Sequence, residues 1–268
     1  MELIIESEVK EFVRKLPDLT NLPPTTHLQM LAVRSRLAKI TMGVKTKDVV
    51  VERRVIRPRV NWRDRYLQSV INLTQLQNSG YYYVSENKRV GTIDNKPVDH
   101  RAKAILGTLR PRNVRMANSK MIEWCAENLY QYADSEEQRY NMTKLDIKYF
   151  SLLHKYKDKG PKLVTVDIED EEHLKPIRDE LSGFEVWMLT KTARGYHLIL
   201  DLSDEKAASD FYNKGKKHEA KKGVWPRLVE KYGNKVVEIQ RDSQEPIPGT
   251  EYTNPNKPDE VNFVRILQ

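Results

Sequence analysis

The chain has 268 residues, of which 31% are charged and 39% hydrophobic, and its formal net charge is +8. This length suits one large domain or two ordinary ones, and no apolar run reaches the length of a membrane-spanning helix. No signal-peptide pattern follows Met1, no Cys/His cluster has the spacing of a zinc site, and the one cysteine, Cys125, cannot form an internal disulfide. We therefore expect an intracellular, cytoplasmic protein with no membrane partner.

The positive charge is concentrated in the first part of the chain. Residues 1–160 contain 29 Lys and Arg against 18 Asp and Glu, whereas residues 161–268 contain 17 against 20. The window 31–120 alone contains 20 basic and 6 acidic side chains. This asymmetry predicts two modules: a basic one at 1–160 that binds a polyanion, and one at 161–268 with acidic chemistry. A basic surface that serves only solubility is the alternative.

The pattern of residues 1–160 predicts a mixed α/β module that is largely helical. Residues 49–60 have strand composition with several arginines, and residues 81–84 and 88–93 predict a β-hairpin. Helical spacing of apolar residues occurs at 2–16, 27–40, 62–77, 118–132 and 144–156.

Residues 161–268 show a clearer alternation of elements. Short helices are predicted between the first and second strands and again over 204–213 and 226–233. Strands are predicted at 163–169, 184–190, 196–202 and 235–240. The order βαββαβ is that of the ferredoxin-like or RRM-like fold. The sequence therefore predicts an α+β protein with an RRM-like sheet in its C-terminal half, in which the first strand lies between the third and the fourth.

Three acids and one histidine are predicted to meet on this sheet. Asp167 and Glu169 are two residues apart on the first strand, so their side chains point to the same face. The neighbouring strands place His197 on one side of this pair and Glu238 on the other. Such close carboxylates repel one another unless a cation lies between them, and Mg²⁺ or Mn²⁺ is the expected ion. Asp242 competes with Glu238 as the third metal ligand.

The turn that precedes His197 is basic and contains a glycine. Lys191 and Arg194 can bind phosphate oxygens, and Gly195 lets other groups approach the backbone closely. Together with His197, these residues predict a binding site for a nucleoside triphosphate.

These short motifs resemble those of the archaeo-eukaryotic primase superfamily, which includes primase-polymerases of plasmids and viruses. The first family motif, an apolar strand ending in Asp-x-Asp or Asp-x-Glu, is matched by Val166-Asp167-Ile168-Glu169. The second, a small residue, any residue and then His, is matched by Gly195-Tyr196-His197. The third, an apolar residue before an acid, is matched by Val237-Glu238, where aspartate is more usual in the family. In that family the acids bind catalytic metals and the histidine contacts the incoming nucleotide.

The resemblance covers residues 161–268 and implies a metal-dependent DNA primase or polymerase. Such an enzyme starts or extends primers on single-stranded DNA from NTPs or dNTPs during replication, and a replicative helicase is a possible partner. The resemblance also implies that Arg265 contacts phosphate or template, and that the basic N-terminal module holds template. Seven arginines would suit this second contact: Arg53, Arg54, Arg57, Arg59, Arg110, Arg112 and Arg115.

Two other functions use the same kind of sheet. A non-catalytic RNA- or DNA-binding module would bind without Mg²⁺, but it displays aromatic side chains where this chain has acids. A rolling-circle replication nickase requires a His-x-His metal pair and a helical tyrosine. Tyr212 lies on a predicted helix, but His197 has no second histidine at that spacing.

Overall fold

The computed structural model describes residues 4–19, 25–79, 83–85, 88–90, 92–93, 96–131, 145–157, 162–212, 223–241, 244–260 and 262–267. Within these ranges the chain is an α+β protein with eight α-helices and two antiparallel sheets of five strands each. None of the helices in the described ranges is both long enough and apolar enough to cross a membrane.

The first part of the chain contains five helices and eight strands in the described residues. In chain order these are α1 (Glu6–Lys15), β1 (Thr25–Val33), α2 (Ser35–Met42), β2 (Val49–Ile56), α3 (Trp62–Ser79), β3 (Tyr83–Ser85), β4 (Lys88–Val90), β5 (Thr92–Ile93), β6 (Lys96–Pro97), β7 (Lys103–Thr108), β8 (Arg112–Asn113), α4 (Val114–Gln131) and α5 (Leu145–Lys155).

The second part contains the remaining elements. They are β9 (Leu163–Ile168), α6 (Glu171–Glu180), β10 (Glu185–Lys191), β11 (Tyr196–Asp201), α7 (Glu205–Tyr212), α8 (Val224–Tyr232), β12 (Val237–Arg241), β13 (Gln244–Pro246) and β14 (Arg265–Leu267).

The first sheet has the strand order β13-β7-β1-β2, and β8 also pairs with β1. Leu28 of β1 packs with Leu152 and Leu153 of α5 and with Ala117 of α4. Leu31, also on β1, packs into a second core that contains side chains of α1 and α3. Helices therefore cover both faces of this sheet.

The helix predicted over residues 27–40 is wrong in its first half, which forms β1. All nine residues of β1 are buried, and the strand lies between β2 and β7. A strand covered on both faces has no alternation of apolar and polar residues, so its pattern resembles that of a buried helix. Helix α2 begins only at Ser35.

The other elements predicted for residues 1–160 are present. Helices α1, α3, α4 and α5 correspond to the four remaining helical segments, and β2 corresponds to the strand with several arginines. The predicted hairpin is formed by β3 and β4, which pair in antiparallel fashion, although residues 81–82 and 86–87 lie outside the described ranges.

The second sheet has the strand order β12-β9-β11-β10-β14. Val164, Val166 and Ile168 of β9 point to one face, where they pack with helices α6, α7 and α8. The alternate residue Leu163 points to the opposite face and packs in the core that also holds α1, α3 and Leu31 of the first sheet. This second face is therefore turned toward the N-terminal part of the chain.

The chain changes sheets between β12 and β13. Strand β12 pairs with β9 in the second sheet, whereas β13 pairs with β7 in the first. Only residues 242–243 separate the two strands. The segment 237–246 therefore contributes to both sheets, and it places Glu245 between them.

Candidate active site

Asp167, His197 and Glu238 lie at one level of the second sheet. His197 on β11 and Glu238 on β12 are both direct register partners of Asp167 on β9. Directly opposed residues on paired strands project from the same face. Glu169 follows Asp167 by two residues, just after the end of β9, and lines the same pocket. The structure thus brings together the four residues that the sequence placed on three strands.

These side chains line a pocket of about 250 Å³. One wall carries the acids and His197. The opposite wall comes from the N-terminal part of the chain and includes Arg34 and Arg36 at the start of α2. Tyr252, from the segment after β13, also lines the pocket. Arg34, Arg36 and Tyr252 were not predicted from the sequence to belong to the site. The only sequence signal for the two arginines was their position in the basic window 31–120.

His197 is held between two carboxylates. Its Nδ1 atom lies 2.6 Å from Oε2 of Glu245, and its Nε2 atom lies 3.6 Å from Oδ1 of Asp167. Burial alone lowers the pKa of His197, but the Glu245 and Asp167 carboxylates outweigh this effect and raise the pKa above its ordinary value. The site therefore favours the charged form of the imidazole.

The pocket disfavours negative charge on Asp167 and Glu169. Burial raises the pKa of Asp167, His197 acts in the opposite direction, and the nearby carboxylates of Glu245 and Glu238 raise it further. Burial also raises the pKa of Glu169, although the Arg194 guanidinium acts in the opposite direction. A cation bound among these groups would offset the cost of burying their negative charge and the repulsion between their carboxylates.

The donor set fits a divalent cation. Asp167, Glu169 and Glu238 offer hard oxygen ligands to one pocket, which is the chemistry that Mg²⁺ and Mn²⁺ prefer. At present the Arg194 guanidinium pairs with Glu169 through its Nε atom, so a metal ion would compete with Arg194 for this carboxylate. Asp242, the competing third ligand, lies outside the described residues.

A tighter group of potential ligands occurs elsewhere in the described residues. Asp170, Glu172 and His173 have ligand atoms that all lie within 4.8 Å of one another, and both acids are exposed. The predicted trio of acids is not among the groups that meet this spacing in the described ranges. Binding of one metal ion by all three carboxylates at once therefore requires at least one of them to move.

The close backbone approach expected at Gly195 is present. A Cβ atom at this position would lie 3.0 Å from Cα of Glu169 and would overlap the carbonyl oxygen of Ile168. Thr192 closes the turn, because its backbone N–H donates to the carbonyl of Gly195 at 2.9 Å. The turn that carries Arg194 is therefore packed directly against the backbone of the first acidic motif.

Lys191 and Arg265, two of the predicted nucleotide contacts, do not line the pocket. Lys191 is a register partner of both Arg265 and Tyr196. Tyr196 belongs to the core beneath helices α6–α8, on the face opposite to His197. The ammonium group of Lys191 lies 5.3 Å from the centre of the Tyr196 ring, and Arg265 lies 3.5 Å from a carboxylate oxygen of Glu8. Strand alternation thus places both residues on the face of the sheet opposite to His197.

The arginines predicted to hold nucleic acid are not equivalent. Arg112 is only 1% exposed and donates to the carbonyl oxygen of His154 at 3.3 Å, which removes it from the proposed nucleic-acid contacts. Arg53 is half-buried on β2, and its guanidinium lies 5.4 Å from the centre of the Phe150 ring. The other members of the set are exposed or half-buried: Arg54, Arg57, Arg59, Arg110 and Arg115.

The exposed and half-buried arginines Arg53, Arg54, Arg57, Arg59, Arg110 and Arg115 are here called the basic region. Gln244 connects the basic region to the pocket. It lines the pocket, and its side-chain nitrogen lies 3.2 Å from Nε2 of His154 on α5. Burial, together with the smaller effects of the positive charges of Arg112 and Arg53, lowers the pKa of His154 to about 4. The basic region therefore begins beside the acidic pocket.

Comparisons of the chain with protein-family models, with curated proteins and with solved structures found no match. The resemblance to the primase superfamily therefore rests on the motifs of this chain alone. Any function must be derived from the chemistry of the pocket and of the basic region beside it.

Proposed function

We propose that the chain is a metal-dependent nucleotidyltransferase, a DNA primase or polymerase that starts or extends primers on single-stranded DNA from NTPs or dNTPs. The observation that carries this proposal is the position of Asp167, His197 and Glu238 at one level of three adjacent strands. The strand order β12-β9-β11-β10, with helices α6–α8 on one face, supports an RRM-like (ferredoxin-like) sheet as the finer fold.

Asp167, Glu169 and Glu238 are the residues that would hold the metal. Mg²⁺ or Mn²⁺ bound there would stabilise negative charge on phosphate oxygens and favour ionisation of an attacking hydroxyl group. The charged form of His197 carries hydrogen on both ring nitrogens, so Nε2 can donate a hydrogen bond to a phosphate oxygen while Nδ1 donates to Glu245. Arg194, once separated from Glu169, can bind a phosphate group through two hydrogen bonds.

The N-terminal wall of the pocket supplies further positive charge. Arg36 is exposed, and its charge lowers the pKa of Glu169 against the larger effect of burial. Arg34 pairs with Asp48 at 3.1 Å. Carboxylates for a metal and guanidinium groups for phosphates therefore surround one pocket, as a nucleoside triphosphate with its metal requires.

The basic region is the proposed path of the template. Arg53, Arg57 and Arg59 would contact phosphates of single-stranded DNA, and the stacked pair of Arg53 and Phe150 offers a surface for a base. A replicative helicase is the further partner that the family resemblance suggests.

Incorporation of labelled NTPs and dNTPs on single-stranded DNA with Mg²⁺ or Mn²⁺ tests the proposal. We expect extended products from the wild type and a loss on the order of 1,000-fold in Asp167→Asn, because several kcal/mol of transition-state stabilisation disappears. Asp210→Asn, an exposed acid on α7, is the matched control and should keep full activity.

The same assay separates the rival functions. Full activity in Asp167→Asn would overturn the metal assignment. A wild-type protein that binds DNA equally with and without Mg²⁺, and incorporates nothing, would be a non-catalytic binding module. A cleaved template strand attached to the protein would indicate a nickase instead.

A further inference from the structure

Glu245 is a buried acid with contacts on two strands of the second sheet. It is 2% exposed. One carboxylate oxygen accepts a hydrogen bond from the hydroxyl of Thr165 at 2.6 Å, and the other lies 2.6 Å from Nδ1 of His197. A charge buried this deeply persists only when partners surround it, so these contacts are integral to the site.

The contact determines how His197 presents its ring. An ionised carboxylate can only accept hydrogen bonds, so Nδ1 must carry the hydrogen that points to Glu245. The remaining nitrogen, Nε2, is then directed toward Asp167 at 3.6 Å and into the pocket. Without Glu245, the hydrogen bond at Nδ1 is lost and the ring could adopt other orientations.

We propose that Glu245 is a positioning residue, which holds His197 with Nδ1–H turned inward and Nε2 directed at a phosphate group of the bound nucleoside triphosphate. This inference rests on the proposed function, because it takes His197 as a nucleotide contact. Glu245 itself does not line the pocket, so it acts through His197 and not on the substrate. Thr165 orients Glu245 in turn.

The first sheet holds Glu245 in place. Strand β13 pairs with β7, and Glu245 is the direct register partner of Gly107. The ring of His197, on the second sheet, is therefore oriented by a residue whose backbone belongs to the first sheet. The orientation of the nucleotide contact consequently depends on the docking of the two sheets.

Glu245→Gln tests the proposal. It changes the size of the side chain little, removes its charge and offers an amide N–H to the ring. Thr165→Val is the second variant and removes only the hydroxyl that orients Glu245. The first readout is the NMR signals of the two ring nitrogens of His197, assigned by their loss in His197→Gln. The second is the affinity for dATP with MgCl₂ and no template, measured by calorimetry.

In the wild type we expect hydrogen on both ring nitrogens, with Nδ1–H donated to Glu245. In Glu245→Gln we expect changed ring signals and dATP affinity weakened about tenfold, the lower end of the effect seen when a residue that orients a metal-binding histidine is replaced. Thr165→Val should show a smaller change in the same direction. Glu185→Gln, an exposed acid on β10, should change neither readout.

Ring signals and dATP affinity equal to those of the wild type in both variants would overturn the positioning role. If the wild type binds no dATP, the proposed function fails, and the ring signals alone then decide whether Glu245 orients His197. If Glu245→Gln does not fold, Thr165→Val decides the question by the same two readouts.

Discussion

Asp167 and Glu238 are register partners on β9 and β12, so two carboxylates project side by side from one face of the second sheet. Like charges at directly opposed positions destabilise a sheet. Glu238 contributes to the raised pKa of Asp167, which shows the same repulsion. Such a pair of acids is typical of a functional site. The sheet would be more stable without this pair.

Replacement of one of these two acids should therefore stabilise the protein. We expect Glu238→Gln to raise the free energy of unfolding at pH 7 by up to about 1 kcal/mol, because the repulsion with Asp167 disappears. Incorporation of nucleotides should fall sharply in the same variant. Urea unfolding and the primer assay measure the two effects, and Glu185→Gln serves as control. A destabilised Glu238→Gln protein would contradict this prediction.

Arg194 should compete with the metal ion. In Arg194→Gln we expect Mn²⁺ to bind about two- to fivefold more tightly without nucleotide, because Glu169 has lost an ion pair worth up to about 1 kcal/mol at this exposure. The affinity for dATP should decrease in the same variant. Mn²⁺ titration by electron paramagnetic resonance measures the first effect, with Lys191→Gln, a cation outside the pocket, as control. Weaker Mn²⁺ binding in Arg194→Gln would show that the guanidinium is not a competitor.

Gly195 should tolerate no side chain. Gly195→Ala introduces a Cβ that overlaps the Ile168 carbonyl and crowds Glu169, so we expect a loss of about 1–3 kcal/mol in unfolding free energy, together with lower activity. Gly183→Ala is the matched control, because no atom lies within 4 Å of the added Cβ, and it should change stability by less than about 0.5 kcal/mol. Equal stability of the two variants would argue against a close approach at Gly195.

His27 should make the protein less stable in mild acid. Burial lowers its pKa to about 4, against a partial opposing effect of the carbonyls of Pro17 and Thr108. Between pH 4 and 6.5 the unfolded chain binds a proton that the folded protein does not. The unfolding free energy should therefore decrease as the pH falls through this window, by up to about 3 kcal/mol from this group.

Urea unfolding at a series of pH values from 7 to 4 measures the effect of His27. His27→Gln should show a shallower decrease in stability than the wild type across the same window. His154, whose pKa is also lowered to about 4, is present in both proteins and contributes equally to both curves. Parallel curves would mean that His27 does not contribute.

The exposed arginines after β2 should contribute to single-stranded DNA binding through phosphates. The double variant Arg57→Ala/Arg59→Ala should bind more weakly, and the slope of log affinity against log salt should decrease in magnitude by about 1.4, or about 0.7 per lost contact. Arg178→Ala/Arg227→Ala changes two exposed arginines on α6 and α8 and is the control. Fluorescence anisotropy at several salt concentrations measures the slope. An unchanged slope would exclude these two arginines from the path of the template.

The acidic part of the site could be predicted from the sequence because its geometry is local. Asp167 and Glu169 share a face by strand alternation alone. The βαββαβ order then placed His197 and Glu238 on the two neighbouring strands, where they are found. Lys191 shows the limit of this reasoning. It is the last residue of β10 and not part of the turn, so alternation directs it away from His197.

The remaining parts of the site depend on contacts between distant segments. Strand β13 has only three residues and no recognisable pattern, and Glu245 acquires its role only because β13 joins the first sheet. Arg34 and Arg36 reach the pocket because α2 follows β1, a strand whose burial on both faces made it resemble a helix. No short-range sequence pattern predicts how the two sheets pack against each other.

The exchange of sheets between β12 and β13 also affects how the site forms during synthesis. His197 precedes its partner Glu245 by 48 residues. At ordinary ribosomal speeds the imidazole is made roughly 2 to 10 s before that carboxylate exists. The nascent chain can therefore complete β9 and β11 while the ring of His197 still lacks its partner. Orientation of this ring is accordingly a late event, which follows translation of the segment that joins the two sheets.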